Sequence, residues 1–389
     1  MPGVATVAEA LSKNQHLTQI DLSRNSLGDY GQGNLLSIQK SLMDKDSLRV
    51  LDLSSNGILG PDGMRFSSLA HFSKHLMPSL PNMMHLTLSY NELHSEAAKL
   101  LSSAIAVHVV PNLLVLDLGC NRISEDPRGD YDASGVLSLC QALRAHIGLN
   151  SLNLRDNRLS NYDTAAIMKC AAGMLKLVSL DISENIISAS GVTSIQEQLY
   201  TDDHLLHLNL NGCPLNDGRG SSKYAGGGFT SLASLLNLNR TLTHLELAGT
   251  GFDDEACKAF EKALLANPVL IKLDVYSNDE VLSPLRTIAI RETVDVNQEL
   301  LNITHNPTTY NYSAKNPFCR KHLLLKIHHL DPRVLKKLLK NKTFFDDDTN
   351  MRKRLQELLP PSRKKLLRST LSMTAGTTTS TSFLPPINN

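Results

Sequence analysis

The sequence predicts an α/β fold, a right-handed solenoid shaped like a horseshoe, with a parallel sheet on its concave side and helices on its convex side. One short phrase occurs nine times: leucine, two residues, leucine, one residue, leucine, two residues, asparagine. The shortest spacing between successive copies gives a base period of about 28 residues, and longer spacings carry insertions. Between the copies, apolar residues recur at helical spacing. A unit of this length cannot bury its apolar face alone and has to stack on its neighbours.

Each phrase predicts one short strand. In the second copy, Leu51 and Leu53 share one face of the strand and Asp52 lies on the other. The closing asparagine can satisfy backbone groups at the strand end with its side-chain amide, although Cys213 and Thr250 replace it in two copies. The nine copies begin at Leu17, Leu48, Met83, Leu113, Leu149, Leu177, Leu205, Leu242 and Leu270.

The segments between the strands predict helices. Residues 4–11 form the first helix, and the long interval at residues 64–81 predicts a lengthened one. Asp253 is placed to cap a helix before the ninth strand. The apolar residues that share a helical face include Val192, Ile195 and Leu199 and, two units later, Ala256, Phe260, Ala263 and Leu264.

These phrases, with the Asn-x-x-Leu that opens several of them, closely resemble the leucine-rich repeat family. The branch they resemble is the long-repeat one typified by ribonuclease inhibitor. Examples of the opening are Asn14 to Leu17, Asn239 to Leu242 and Asn267 to Leu270. The resemblance covers residues 4–306 and implies the horseshoe fold. It says little about function, because the family binds very diverse partners.

The chain divides into four parts. Residues 1–306 form the repeat array, with a degenerate tenth strand at Leu301-Asn-Ile303, where Leu301 follows Leu273 by one base period. Residues 307–317 form a linker, residues 318–371 a basic helical extension, and residues 372–389 a disordered tail rich in serine and threonine.

Charge is divided unequally along the chain. Residues 1–314 carry 23 basic and 33 acidic side chains, whereas residues 315–368 carry 16 and 5. Such a division of charge gives information about binding partners rather than about the fold. The extension either caps the last repeat or anchors the protein to an acidic partner, such as tubulin or another acidic polymer; no nucleic acid is expected. The residues assigned to this anchor are Arg320, Lys321, Lys336, Lys337, Lys340, Arg352, Lys353, Arg354, Arg363, Lys364 and Lys365.

Composition predicts a soluble cytoplasmic protein. Every apolar run is far shorter than the roughly 18 residues that a membrane-spanning helix needs, so no transmembrane segment is expected. No charged-then-apolar leader opens the chain. The six cysteines have neither metal-site nor disulfide-framework spacing, which favours a reducing compartment.

A column of outward residues predicts a binding face on the concave sheet. The position between the second and third leucines of each phrase is a carboxylate in six of nine copies: Asp21, Asp52, Asp117, Asp181, Glu246 and Asp274. Stacked about 5 Å apart, like charges repel unless a partner neutralises them. The column is either a docking face for a basic protein surface or simply the solvent-facing residue habitual at this position.

Two insertions, at residues 124–134 and 216–228, fall between a strand end and the next helix, so both should project from the same rim. Loops on a rigid scaffold commonly carry recognition. The residues assigned to partner binding there are Glu125, Asp126, Arg128, Asp130, Tyr131, Arg219, Lys223 and Tyr224.

No catalytic, cofactor or metal motif accompanies the repeats. The sequence therefore predicts a non-enzymatic interaction scaffold, and by analogy of fold a cytoskeletal or axonemal (ciliary or flagellar) assembly component. The alternative is a GTPase regulator, because Asn121-Arg122 resembles the Asn-Arg loop of the Ran GTPase-activating protein.

Overall fold

The repeats form one continuous parallel sheet. The computed structural model describes residues 2–28, 34–58, 66–146, 148–216 and 227–278 and, beyond them, residues 286, 290, 291, 293–295, 297 and 298. Nine three-residue strands pair side by side in chain order. They are β1 (Gln19–Asp21), β2 (Val50–Asp52), β3 (His85–Thr87), β4 (Val115–Asp117), β5 (Ser151–Asn153), β6 (Ser179–Asp181), β7 (His207–Asn209), β8 (His244–Glu246) and β9 (Lys272–Asp274).

Helices connect the strands and confirm the predicted alternation. The predicted lengthened helix is α3, which continues as a π-helical turn at Phe72–Leu76 and a 3₁₀ turn at Met77–Ser79. The helices are α1 (Pro2–Lys13), α2 (Asn34–Leu42), α3 (Phe66–His71), α4 (Ser95–Ala104), α5 (Ser134–Leu143), α6 (Asn161–Ala171), α7 (Ala189–Leu199), α8 (Gly227–Leu238) and α9 (Asp254–Ala266).

The leucines of the phrases build one core that runs through all nine repeats. The strand register pairs Leu51 with Leu86 and Leu86 with Leu116, and this stacking continues to Leu273 in β9. The inward leucines of the central strands are almost completely buried. Each buried leucine is worth about 1.5–3 kcal/mol relative to exposure, so the array is stable only as a stack.

Buried asparagines hold the loops that follow the strands, as predicted. The Asn56 amide donates to the carbonyl groups of Leu22 and Leu53, and its Oδ1 accepts from the backbone N–H of Leu27. Where other residues replace asparagine, the Cys213 thiol and the Thr250 hydroxyl each bond a backbone carbonyl. Each loop is therefore fixed to the loop of the preceding repeat.

The tenth strand, the linker, the basic extension and the tail lie outside the described residues, and their assignments stay predictions. None of the helices in the described part of the chain combines the length and apolar character that crossing a bilayer requires.

Candidate protein-binding surface

The predicted column of outward residues occupies the third position of every strand, and we call it the acidic column. Asp21 lies beside Asp52, and Glu246 beside Asp274. From β2 to β8, however, neutral residues separate the carboxylates. Stacking of like charges on adjacent strands was therefore predicted correctly only at the two ends. The column reads Asp21, Asp52, Thr87, Asp117, Asn153, Asp181, Asn209, Glu246 and Asp274.

Most residues of the acidic column also shape the loop that follows their own strand. The Oδ1 atom of Asp117 accepts a 2.9 Å hydrogen bond from the N–H of Gly119, two residues on, and Asn153 does the same for Arg155. This Asx turn explains why aspartate and asparagine alternate in the column. It uses one side-chain oxygen, and the second oxygen of Asp181 accepts from the Asn209 amide on the next strand at 3.0 Å. The same Asx-turn bond is made by Asp21, Asp52, Asp181, Asn209 and Asp274.

Asp117 and Asp21, at different places along the sheet, have pKa values shifted in opposite directions. Burial raises the pKa of Asp117, and the charges of Asp52 and Asp181 on either side raise it further. Asp21, at the open end of the sheet, has a lowered pKa because Ser23 hydrogen-bonds to it. Negative charge is therefore less favourable at Asp117 than at Asp21.

We expect Asp117→Asn to stabilise the protein by about 0.5–1 kcal/mol at neutral pH. Asparagine keeps the Asx turn, as Asn153 shows on the next strand, and removes a partly buried charge. The pKa of Asp117 is higher in the folded protein than its ordinary value of 3.8. The wild type therefore loses stability as the pH rises from 3.8 through the folded-state pKa. Urea unfolding at several pH values should show the advantage of the variant growing over that window and then levelling off.

The control for this prediction is Asp21→Asn. Because the pKa of Asp21 is lowered rather than raised, its charged form is favoured in the fold, and the substitution should not stabilise the protein. Equal stabilisation by both variants, or none by Asp117→Asn, would contradict the account of the column.

A second outward column, at the first position of each strand, was missed by the sequence reasoning. The imidazole rings of His207 and His244 stack with centroids 4.0 Å apart, and Lys272 follows on β9. Lys272 bonds Glu246 at 2.7 Å, and this bond raises the pKa of the lysine. Lys272 therefore offsets the charge of Glu246, whereas burial lowers the pKa of His244 and so disfavours its charged form. On β1–β6 this second column contains no lysine or arginine.

The first insertion, residues 124–134, folds as a fixed rim loop between β4 and α5. The Oδ1 atom of Asp126 accepts hydrogen bonds from the N–H groups of Arg128 and Asp130, and Gly129 takes a positive φ of 92° at the turn. The carbonyl of Glu125 accepts from Ser95 at the start of α4. Glu125 and Asp126 thus support the loop, while Arg128 and Asp130 are exposed at its tip.

Next to the rim loop, exposed arginine and tyrosine side chains from two repeats form one patch. Glu125 pairs with Arg122 at 2.7 Å and with Arg158 of the next repeat at 3.9 Å. Tyr131 lies 3.0 Å from the hydroxyl of Ser160 and remains 55% exposed; Tyr162, which follows in α6, is 61% exposed. We name this patch the rim surface. It consists of Arg122, Arg128, Tyr131, Arg158 and Tyr162.

The sequence reasoning found only Arg128 and Tyr131 of the rim surface. Arg122 directly precedes the rim loop in the same repeat, whereas Arg158 and Tyr162 lie next to it only because consecutive repeats stack. The signal in the sequence is the recurrence of arginine immediately after the loop asparagines of the fourth and fifth copies. The other predicted rim residues (Arg219, Lys223 and Tyr224) lie outside the described residues, as do all residues of the predicted basic anchor.

Asn121, the residue behind the GTPase-regulator alternative, is a buried member of the asparagine series. Its Oδ1 accepts from the backbone N–H groups of Asn91 and Leu93 at 3.0 Å. Its amide donates to the carbonyl groups of Leu88 and Leu118. Asn121 is thus engaged in holding the loop and does not face a partner. Among the described residues, no group of three histidine, cysteine, aspartate or glutamate side chains converges.

Comparison with known proteins agrees with the repeat architecture. Residues 13–31, 46–66 and 238–260 match the family described as "Leucine Rich repeat". The chain is 23% identical over 380 residues to a Rho GTPase-activating protein of Dictyostelium discoideum, covering 91% of the chain and 33% of that protein. It is 27% identical over 186 residues to the ribonuclease inhibitor of Sus scrofa, covering 41% and 40%. The chain thus matches less than half of either relative.

Among solved structures, the leucine-rich repeat-containing protein LegL7 from Legionella pneumophila aligns with 76% of this chain and 96% of its own. The TM-score is 0.41 and the identity 23%. The nine stacked strand–helix units, the asparagine series and the family match lead to one assignment. The chain is a leucine-rich repeat protein of the ribonuclease-inhibitor-like, long-repeat type.

Proposed function

We propose that the protein is a non-enzymatic scaffold that binds a protein partner through the rim surface and the adjoining acidic column. The observation that carries the proposal is the rim surface itself. Two tyrosines, each more than half exposed, lie beside three arginines. Arg128 and Tyr131 stand on the rim loop, which its own hydrogen bonds already fix. Tyrosine and arginine are the residues most often found at the energetic centre of interfaces.

The fixed rim loop favours binding because little entropy is lost when a partner docks. Asp126 holds the loop from inside, and Tyr131 is placed against Ser160 of the next repeat before any partner arrives. Ordering a mobile loop and its side chains would otherwise cost about 0.5–1.5 kcal/mol per side chain. The rim surface is thus preorganised for binding and does not have to become ordered when a partner docks.

The acidic column favours a partner with a basic surface. Burial and the charges of two neighbouring carboxylates disfavour the charged form of Asp117, so an approaching cation would favour it. Charge complementarity of this kind speeds association and makes binding sensitive to salt. The partner proposed here therefore presents lysine or arginine towards β1–β6 and contacts the tyrosines at the rim.

The experiment is affinity isolation of the tagged full chain from cells, with partners quantified for three versions of the protein. We expect Tyr131→Ala combined with Tyr162→Ala to reduce the retention of specific partners about tenfold or more, since central tyrosines commonly contribute about 2 kcal/mol or more. The matched control is Tyr200→Ala. That tyrosine is 53% exposed but follows α7 on the convex side, and its removal should leave retention unchanged.

Equal loss of partners in the control, or full retention by the double variant, would refute the role of the rim surface.

The alternative function, regulation of a GTPase, is supported by the name of the Dictyostelium relative. It predicts that the purified protein accelerates GTP hydrolysis by a Rho- or Ran-class GTPase, whereas the scaffold predicts no acceleration.

The basic extension adds a second proposed contact, with an acidic polymer such as tubulin, in a cytoskeletal or ciliary assembly. Its support is the charge division of the sequence, 16 basic against 5 acidic residues between positions 315 and 368. Truncation after Tyr312 should abolish cosedimentation with microtubules at low salt. Persistence of cosedimentation in the truncated chain would remove this part of the proposal.

A further inference from the structure

Three sulfur atoms converge where α5 packs against α6. The thiol of Cys170 in α6 donates to the backbone carbonyl of Cys140 in α5 at 3.3 Å, and its Sγ lies 3.8 Å from the Sδ of Met174. The Cys140 thiol in turn hydrogen-bonds with the sulfur of Cys170. Both cysteines are free thiols, so all three sulfurs are available as ligands.

The two cysteines and Met174 line one small cavity between the helices. Its volume of about 10 Å³ is room for a single atom-sized guest. The remaining walls consist of valine, leucine, isoleucine and alanine side chains. A guest in this cavity therefore meets side-chain sulfur and no side-chain oxygen or nitrogen.

The ligand set fits a soft monovalent metal ion. Thiolate and thioether sulfurs select Cu(I), whereas a structural zinc ion takes four ligands. With metal–sulfur bonds of about 2.3 Å, the length of a zinc–thiolate bond, three sulfurs in one plane around an ion lie about 4 Å apart. The 3.8 Å between the Cys170 and Met174 sulfurs matches this separation. In the described part of the chain, no three histidine, cysteine or carboxylate side chains converge, so no zinc site of the usual kind competes.

We propose that Cys140, Cys170 and Met174 form a binding site for a single Cu(I) ion, held by two thiolates and one thioether. On binding, each thiol releases its proton to solvent, and copper keeps its oxidation state, so no electron is transferred. The spacing of the cysteines in the sequence does not indicate this site. They are 30 residues apart and meet only because consecutive repeats stack.

The surroundings of Cys170 favour the thiolate that the metal requires. The hydrogen bond from the Cys140 thiol lowers the pKa of Cys170, and the positive charge of Arg144 lowers it further, against the opposing effect of burial. Two thiolates and one Cu(I) ion leave a single negative charge, which Arg144 is placed to offset. Cys140 is only partly buried, which gives an ion access from solvent.

The test is a titration of the purified full chain with Cu(I), kept reduced by ascorbate under nitrogen, in competition with the chromophoric chelator bicinchoninate. We expect the wild type to withdraw one equivalent of Cu(I) from the chelator, and Cys140→Ser and Cys170→Ser each to lose this ability. Met174→Leu conserves side-chain volume and should weaken the binding. The matched control is Cys257→Ser, whose buried thiol contacts Glu261 and no second sulfur; it should bind as the wild type does.

A second readout is thermal unfolding, because an ion that binds only the folded chain stabilises it. Cu(I) should raise the melting temperature of the wild type and of Cys257→Ser but not that of Cys140→Ser. If the cysteine variants do not fold, Met174→Leu decides, and an unchanged affinity in that variant would overturn the site.

Two further results would overturn the proposal. One is a wild-type chain that leaves all Cu(I) with bicinchoninate, and the other is a full equivalent retained by Cys140→Ser or Cys170→Ser. None of the three ligand residues belongs to the rim surface, so the outcome is independent of the proposed scaffold function.

Discussion

Asn121→Ala lowers the free energy of unfolding by about 3–5 kcal/mol, the largest single-residue effect expected in this chain. The side chain satisfies the backbone N–H groups of Asn91 and Leu93 and the carbonyl groups of Leu88 and Leu118. Alanine leaves the two buried N–H groups without the acceptor that Asn121 provides, and each such group costs about 1–3 kcal/mol. The two carbonyl groups keep the hydrogen bonds that the Asn91 and Asn157 amides donate. Denaturant unfolding followed by circular dichroism measures the loss.

The matched control is Asn153→Ala, on the exposed side of β5. Asn153 accepts one hydrogen bond, from Arg155, so its removal should cost no more than about 1 kcal/mol. Equal stability of the Asn121 variant and the wild type would contradict the structural role of this asparagine. It would also favour the alternative in which Asn121 acts on a GTPase. Loss of GTPase stimulation without loss of stability would be the clearest sign of that.

Gly135→Ala lowers the free energy of unfolding by about 1–3 kcal/mol and displaces the rim loop. A Cβ atom at Gly135 would lie 2.7 Å from the Ile123 carbonyl oxygen and 2.7 Å from the Cα of Ser95, both backbone atoms. Alanine gains about 1 kcal/mol of helix propensity in α5, which the overlap outweighs because neither contact can rotate away. Thermal unfolding measures the stability, and partner retention reports on the rim surface.

Gly148→Ala is the control for this substitution, since a Cβ atom there meets nothing within 4 Å. It should leave both stability and partner retention unchanged within error. A Gly135 variant that is as stable as the wild type and binds equally well would show that the close approach of α4 and α5 does not position the loop.

The array could be predicted almost completely from the sequence because its signal is repeated nine times. The leucine spacing predicted all nine strands of the described residues. The need to satisfy backbone groups at strand ends predicted the role of the asparagine series. Local capping was also predictable: the Asp253 side chain accepts from the N–H of Ala256, as proposed. These features depend on residues within one repeat.

The candidate site was less predictable because it depends on contacts between repeats. Glu125 and Asp126 were assigned to partner binding, yet their hydrogen bonds and ion pairs support the rim loop. Tyr162 was missed because nothing in its own repeat marks it, and only stacking brings it beside Tyr131. The alternation of aspartate and asparagine in the acidic column is a matter of loop geometry as much as of charge.

The central claim is that a protein partner binds at the rim surface and along the acidic column. Hydrogen–deuterium exchange of the full chain, with and without its isolated partner, tests this claim most directly. We predict that the partner slows exchange in residues 122–132 and in the loops that follow β4 to β6, with little change in α5 to α7. Protection confined to the convex helices, or to residues beyond 298, would contradict the claim.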